Sequence, residues 1–246
     1  MSTSLYAHPL FHHLPAEEVA RLDRRCVWRD HAQGRPLRLE QEGRAHVLCV
    51  LSGHLGAYLT SPGGRTMLVR MVGPGGLVGE AAALAGLRTE LEVVAVTDAR
   101  VVHMPAAVLR EVIAEDAVLS AAMFRRLALE IARLEARLGE LAYMDVRERL
   151  LEELLRRAET APDGTGALVV SPAPPHADLA ASVATHRETV TRELSRLVSQ
   201  GVIRRQAGAL YLQDMAGGRL AAGAYRAVAA QGRGIGAGGP ARSTVR

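Results

Sequence analysis

Between about residue 27 and residue 104 glycine interrupts the chain at 34, 43, 53, 63–64, 73, 75–76 and 79. The segments left between are short runs rich in valine and leucine. Runs this short cannot build the apolar stripe of a free-standing helix, but they suffice for strands of about five residues. A spacing near ten residues therefore confines this region to an antiparallel all-β barrel or jelly roll. The strongest strand candidates are 46–51, 56–60 and 66–72, with Ser61-Pro62-Gly63-Gly64 as a hairpin turn, and strands return at 92–97 and 100–104. A short helix over 15–24, with Pro15 near its start, precedes this region.

Beyond it the period changes. A helix starts near Pro105 and a long helical run covers about 116–143. In that run Phe124, Leu127, Ile131, Leu134, Leu138 and Leu141 follow one another at steps of three and four, a coiled-coil-like seam over more than two heptads. Arginine and glutamate crowd the remaining faces, so the narrow stripe reads as a homodimer interface; the alternative is a helix packed on its own domain. Asp145 is placed to cap a helix over 146–159, and 143–145 is a plausible hinge. A loop rich in proline and glycine over 160–177 contains a strand-like 167–170. Two short helices (177–183 and 187–199) and a hairpin (202–205, Ala207-Gly208, 210–212) follow. The remainder, 216–246, is rich in glycine, alanine and arginine; 219–231 has a helical pattern and the last dozen residues read as disordered. The expected division is a β-roll sensor domain 1–115, a dimerisation helix 116–144, a winged helix-turn-helix 145–214 and a tail 215–246.

Composition excludes several functions. Two cysteines, Cys26 and Cys49, cannot supply a disulfide framework, a CxxC zinc site or a four-cysteine iron–sulfur cluster. No metal or haem is expected, because His12, His13, His46, His54 and His103 lack ligand spacing and read as turn or surface residues. Cys26 lies near Arg24, Arg25 and Arg29, which makes it a minor candidate for a thiol of lowered pKa; the simpler reading is two buried free thiols in a reducing cytoplasm. There is no basic start followed by an apolar run, and the longest charge-free stretch, 45–64, is broken by Ser52, Gly53, His54, Gly56, Ser61 and Pro62, so a cytoplasmic protein without a membrane span is expected. Nucleophile elbow, metal motif and phosphate loop are absent, and Gly73–Gly76 lacks the Lys-Ser/Thr of the last; the chain does not read as an enzyme. All 30 basic residues are arginine, each a planar fork suited to phosphate and guanine edges. Residues 1–144 carry 16 arginines and 16 acids, whereas 145–246 carry 14 and 10, so the whole net charge of +4 lies in the C-terminal part, a hint of an anionic partner.

Residues 177–199 sharpen that hint. Leu179, Ala180, Val183, Val190, Leu194 and Leu197 are spaced to pack two short helices, Thr185 and Glu188 match a capping box, and Arg187, Glu188 and Arg192 are left outward on the second helix. Arginine pairs bidentately with guanine, and glutamate accepts from cytosine. An αα-hairpin with solvated charges is the bland alternative, disfavoured by the arginine-tipped hairpin that follows, which reads as a wing.

Three motifs now carry a resemblance over about residues 10–213. They are the glycine-marked β-roll from Gly53 to Gly79-Glu80, the long helix running into Ala142-Tyr143-Met144-Asp145-Val146-Arg147-Glu148-Arg149, and Arg187-Glu188-Thr189-Val190-Thr191-Arg192. The chain resembles the Crp/Fnr family of bacterial transcription regulators, the cyclic-AMP receptor protein family. The resemblance implies an α+β chain with an N-terminal β-roll (a cyclic-nucleotide-binding-like jelly roll), a long dimerisation helix and a C-terminal winged helix-turn-helix. It implies a homodimer that binds double-stranded promoter DNA, reads TGTGA-like half-sites through Arg187, Glu188 and Arg192 with Thr189 and Ser199 on phosphates, and contacts RNA polymerase as an activator.

By the same resemblance, cyclic AMP would use Gly79 and Glu80 for the ribose and Arg88-Thr89 for the phosphate. The match is incomplete: Arg88 comes closer to Glu80 than the family pattern has it, Glu90 follows where a small residue is usual, and Leu134 and Glu135 stand where two hydroxyl residues would meet the adenine. The alternatives are a regulator with another ligand or none, and, in a different class, a non-DNA sensor module, which would lack the winged helix.

Overall fold

The computed structural model describes residues 4–41, 43–161 and 167–212. The expectations for 216–246 lie outside the described residues, as does part of the 160–177 loop. The chain divides into two compact units, residues 1–143 with Ala180–His186, and Met144–Leu179 with the chain from Arg187 onward.

The first unit opens with a 3-10 turn, Leu5–Ala7, and α1 (Ala16–Asp23). Its strands are β1 (Val27–His31), β2 (Pro36–Leu37), β3 (Glu40–Gln41), β4 (Arg44–Ser52), β5 (Leu55–Thr60), β6 (Thr66–Val72), β7 (Leu77–Val78), β8 (Glu92–Ala95) and β9 (Ala99–Pro105), with α2 (Glu80–Ala85) between β7 and β8. They form two antiparallel sheets, β1-β9-β4-β3 with β7 also on β4, and β2-β8-β5-β6. The 46–51 run is apolar without alternation because both faces of β4 are covered. Val47 and Cys49 enter a core shared with Phe11, Leu22, Met104, Leu109 and Leu119, whereas Leu48 and Val50 face Leu55, Val93 and Val101 between the sheets. Gly53 holds φ +77°, and a Cβ there would overlap the Asp98 carbonyl, so the β4–β5 turn approaches the β8–β9 turn only with glycine.

Helix α3 (Ala106–Glu115) leads into α4 (Ala117–Tyr143). The start of α4 is held by buried Leu119 and Met123, and Leu127 packs half-buried against the same core. Further along, its apolar stripe is open, with Phe124 80%, Ile131 58%, Leu134 45% and Leu138 67% exposed; Leu141 is half-buried.

The second unit begins where Asp145 caps α5 (Val146–Arg157). Glu148 N donates to Asp145 Oδ1, and Asp145 N donates to Glu148 Oε2, each at 2.8 Å, a reciprocal capping box. The helix stops two residues short of the expected 159, because Glu159–Thr160 form β10 against β11 (Leu168–Val170). Then come α6 (His176–Ser182), α7 (Arg187–Ser199), β12 (Ile203–Gln206) and β13 (Ala209–Leu212), with the sheet ordered β10-β11-β13-β12. Helix α7 starts at Arg187, later than the Thr185 capping pattern implies. Ala207 and Gly208 both hold positive φ, which matches the hairpin's right-handed twist.

Two readings of single residues are corrected. His103 is not a surface residue: it is buried at 1% exposure, with the Gln41 side chain 2.8 Å from Nδ1 and His31 Nε2 3.1 Å from Nε2. Burial, then His31 and Arg29, push its pKa down to about 4. Cys26 is not an activated thiol, because burial, and after it Asp23, push its pKa up to about 12 against the effect of Arg25. Cys49 is likewise raised by burial. Helix α2 was not foreseen; its six residues, between Gly79 and Gly86 at positive φ, are too few for a helical period to register.

Candidate functional site

Helix α7 divides cleanly along its length. Val190, Leu194 and Leu197 are buried, and Arg187, Glu188, Thr191, Arg192 and Ser195 are exposed, a spacing that places the second set on the opposite face. Among the described residues, Arg187 and Arg192 have no carboxylate within ion-pair distance, so both guanidiniums are free to meet a ligand. Thr189 is half-buried on the first turn, 3.5 Å from Arg192 Nη2. Ser199 lies at the far end of α7 and donates to the Arg196 carbonyl.

A contact that sequence reasoning did not find braces this face. Thr191 Oγ1 donates to the Arg187 carbonyl at 3.0 Å, so its only proton is committed. His176 Nδ1 lies 2.8 Å from Thr191 Oγ1, and with that hydroxyl donating to Arg187 the contact is made when Nδ1 carries the proton. Burial, then Arg205 and Arg187, lower the His176 pKa. On the wing, the Arg204 guanidinium stacks over Tyr211 at 5.0 Å.

In the first unit three of the four expected effector residues line one cavity, and the fourth, Glu80, does not. Gly79 holds φ +90° at the head of α2, where a Cβ would meet Leu39 Cδ2 at 2.8 Å and the His46 carbonyl at 3.1 Å. Gly79, Arg88 and Thr89 line a cavity of about 400 Å³ together with Leu37, Leu39 and Val93, and Glu80 does not line it. Arg88 is 90% exposed, with Glu40 at 3.6 Å, and Thr89 Oγ1 accepts from Leu91 N. Glu80, 1% exposed, is bound instead by Arg70 of β6: Nη1 to Oε1 and Nη2 to Oε2, each 3.0 Å. Arg126 Nε lies 3.6 Å from Glu80 Oε1. Leu134 and Glu135 are both exposed on α4. Little in the sequence signalled Arg70: an arginine inside the run Met67-Leu68-Val69-Arg70-Met71-Val72 reads equally as the solvated face of an edge strand, which β6 is.

Comparison with known proteins agrees with this layout. The family model of the cyclic nucleotide-binding domain matches residues 29–116, and that of the Crp-like helix-turn-helix domain matches 148–217. The transcriptional regulator SdrP of Thermus thermophilus is 31% identical over 170 residues, covering 68% of this chain and 79% of the relative. The chain belongs to the Crp/Fnr family of transcription regulators. The CRP-like cAMP-activated global transcriptional regulator of Mycobacterium tuberculosis is 28% identical over 209 residues, 83% of this Crp/Fnr chain and 92% of that protein. A Crp/Fnr-family transcriptional regulator from Eubacterium rectale superposes with a TM-score of 0.68 over 88% of this chain and 98% of its own, at 18% identity, a likeness of fold. This Crp/Fnr regulator is thus a DNA-binding transcription factor carrying a cyclic nucleotide-binding domain, in a family of regulators rather than enzymes. No helix among the described residues is long and apolar enough to cross a membrane.

Proposed function

We propose that the chain works in the cytoplasm as a homodimer that binds palindromic promoter DNA. The outer face of α7 would enter the major groove, and Arg187, Glu188 and Arg192 would read a TGTGA-like half-site, with Thr189 on phosphate. The carrying observation is the pair of free arginines, Arg187 and Arg192, flanking Glu188 on the exposed face of a helix whose opposite face is buried. The exposed stripe Phe124, Ile131, Leu134 and Leu138, continued by the half-buried Leu127 and Leu141, supports dimerisation through α4. We assign the sensor to 1–115, the dimer helix to 116–144, the winged helix-turn-helix to 145–214 and a basic tail to 215–246. RNA polymerase is the expected protein partner, with transcription activation as the output.

The test is Arg187→Ala on a palindromic TGTGA-type duplex and on a random duplex. The variant should lose about 1–3 kcal/mol on the palindrome and little on random DNA. Equal loss on both would mean that Arg187 touches only phosphate.

Two readings of the sensor compete. Cyclic AMP control is supported by the class of the domain and by the name of the mycobacterial relative. Action without a small-molecule effector is favoured by the occupied carboxylate of Glu80 and by its separation from the cavity that Gly79, Arg88 and Thr89 line, and we adopt it.

A further inference from the structure

The cation inside β6 plays no part in reading DNA, yet it engages the most deeply buried carboxylate of the sensor unit. Besides its two hydrogen bonds to Glu80, Arg70 places Nη1 3.4 Å from Glu130 Oε1 on α4. Arg126, one helical turn before Glu130, lies 3.6 Å from Glu80 Oε1 and points Nη2 at the Leu77 carbonyl at 3.5 Å. Glu130 also faces Arg133 at 3.6 Å. Charges therefore alternate Arg126, Glu80, Arg70, Glu130, Arg133 through β6, the head of α2 and two turns of α4.

Resting on the reading that this regulator needs no small-molecule effector, we propose that Arg70 is its built-in effector: the guanidinium occupies Glu80 in place of a ligand and, through Glu130, clasps the long helix to the β-roll in the DNA-binding arrangement. Four observations carry this. Both carboxylate oxygens of Glu80 are already engaged by a bidentate fork on a side chain only 1% exposed, so a ligand hydroxyl would have to compete with Arg70 and reach a buried group. A displaced guanidinium, its side chain 16% exposed and with Arg126 bound to the same carboxylate, would lose its main counter-charge. Burial opposes the charge on Arg70, yet the hydrogen bonds and charges of Glu80 and Glu130 outweigh it and raise the pKa, so the cation is permanent. Finally, a single guanidinium reaches both α2 and α4, the two elements that an effector lodged between roll and helix would have to join.

The experiment measures binding of the full-length protein to the palindrome and to a random duplex, with and without millimolar cyclic AMP, by fluorescence anisotropy. The wild type is compared with Arg70→Met/Glu80→Met, which removes both charges together and leaves Glu130 facing Arg133 and Arg126 facing the Leu77 carbonyl, and with Arg70→Lys, which keeps the charge but not the fork. Circular dichroism and light scattering check folding and assembly. The wild type should bind equally well with and without cyclic AMP. The folded double variant should lose about tenfold or more on the palindrome and nothing on random DNA; if it does not fold, the same loss is expected of Arg70→Lys. A wild type tightened tenfold by cyclic AMP would overturn both the effector-free reading and the clasp. A folded variant that binds as the wild type does, while the wild type ignores cyclic AMP, would overturn the clasp alone.

Discussion

His8 and His103 carry the clearest pH dependence in the molecule. Both are buried, and burial above all lowers both from an ordinary 6.5 to about 4. Between those values the unfolded chain binds protons that the folded chain does not, so stability is complete above about 6.5 and falls as pH drops toward about 4. Each histidine contributes at most about 3 kcal/mol to that fall. Thermal midpoints should decline from neutral pH downward, already above the carboxylate range, and less steeply in His103→Gln; a flat profile down to about pH 5 would contradict the assignment. The same residues mark what sequence reading misses. His103 looks like a turn residue beside Val101, Val102 and Met104, because nothing local says that Gln41 and His31 arrive from other strands to cover it. The exposure of Arg187, Glu188 and Arg192 was legible because an amphipathic helix is a local pattern, with its apolar side and its charged side both written in one turn-by-turn stretch. Arg70 was not legible, because β6 is an edge strand and the carboxylate that holds the guanidinium comes from α2.

At the scale of elements, the long helix is the decisive one. Its first turns are fixed by Leu119 and Met123, and beyond them the charged network on one side and the open stripe on the other separate two tasks. Replacing Ile131 and Leu138 together by glutamate should leave the β-roll folded, because both side chains lie in the open, and should convert the proposed dimer to a monomer by light scattering. Palindrome binding should fall with it, while an unchanged dimer would move the interface elsewhere. The steps of three and four made this helix visible in the sequence, and the Asp145–Glu148 box marked where the next begins. Strands β4, β5 and β6 were visible as apolar runs between glycines, and β8 and β9 as runs on either side of Asp98-Ala99. The two-residue strands β2, β3, β7 and β10 were not, since two residues are too few for a strand's alternation to register.

At the scale of the whole molecule, charge and specificity separate. Residues 171–212 hold five arginines against three acids, and 213–246 hold five against one. The excess thus lies mainly beyond the winged helix, and truncation after Asp214 should lower the salt slope of DNA binding by about one unit or more while leaving sequence choice intact. An unchanged slope would remove the tail from the interface. Specificity should rest instead on a few placed side chains presented twice by a two-fold dimer. The direct test titrates the wild-type protein with a palindromic TGTGA-type duplex, a duplex carrying one half-site, and a random duplex at one fixed salt concentration. The palindrome should bind about a thousandfold or more tighter than random DNA, with one half-site falling between. Equal affinity for all three would contradict recognition by paired α7 helices.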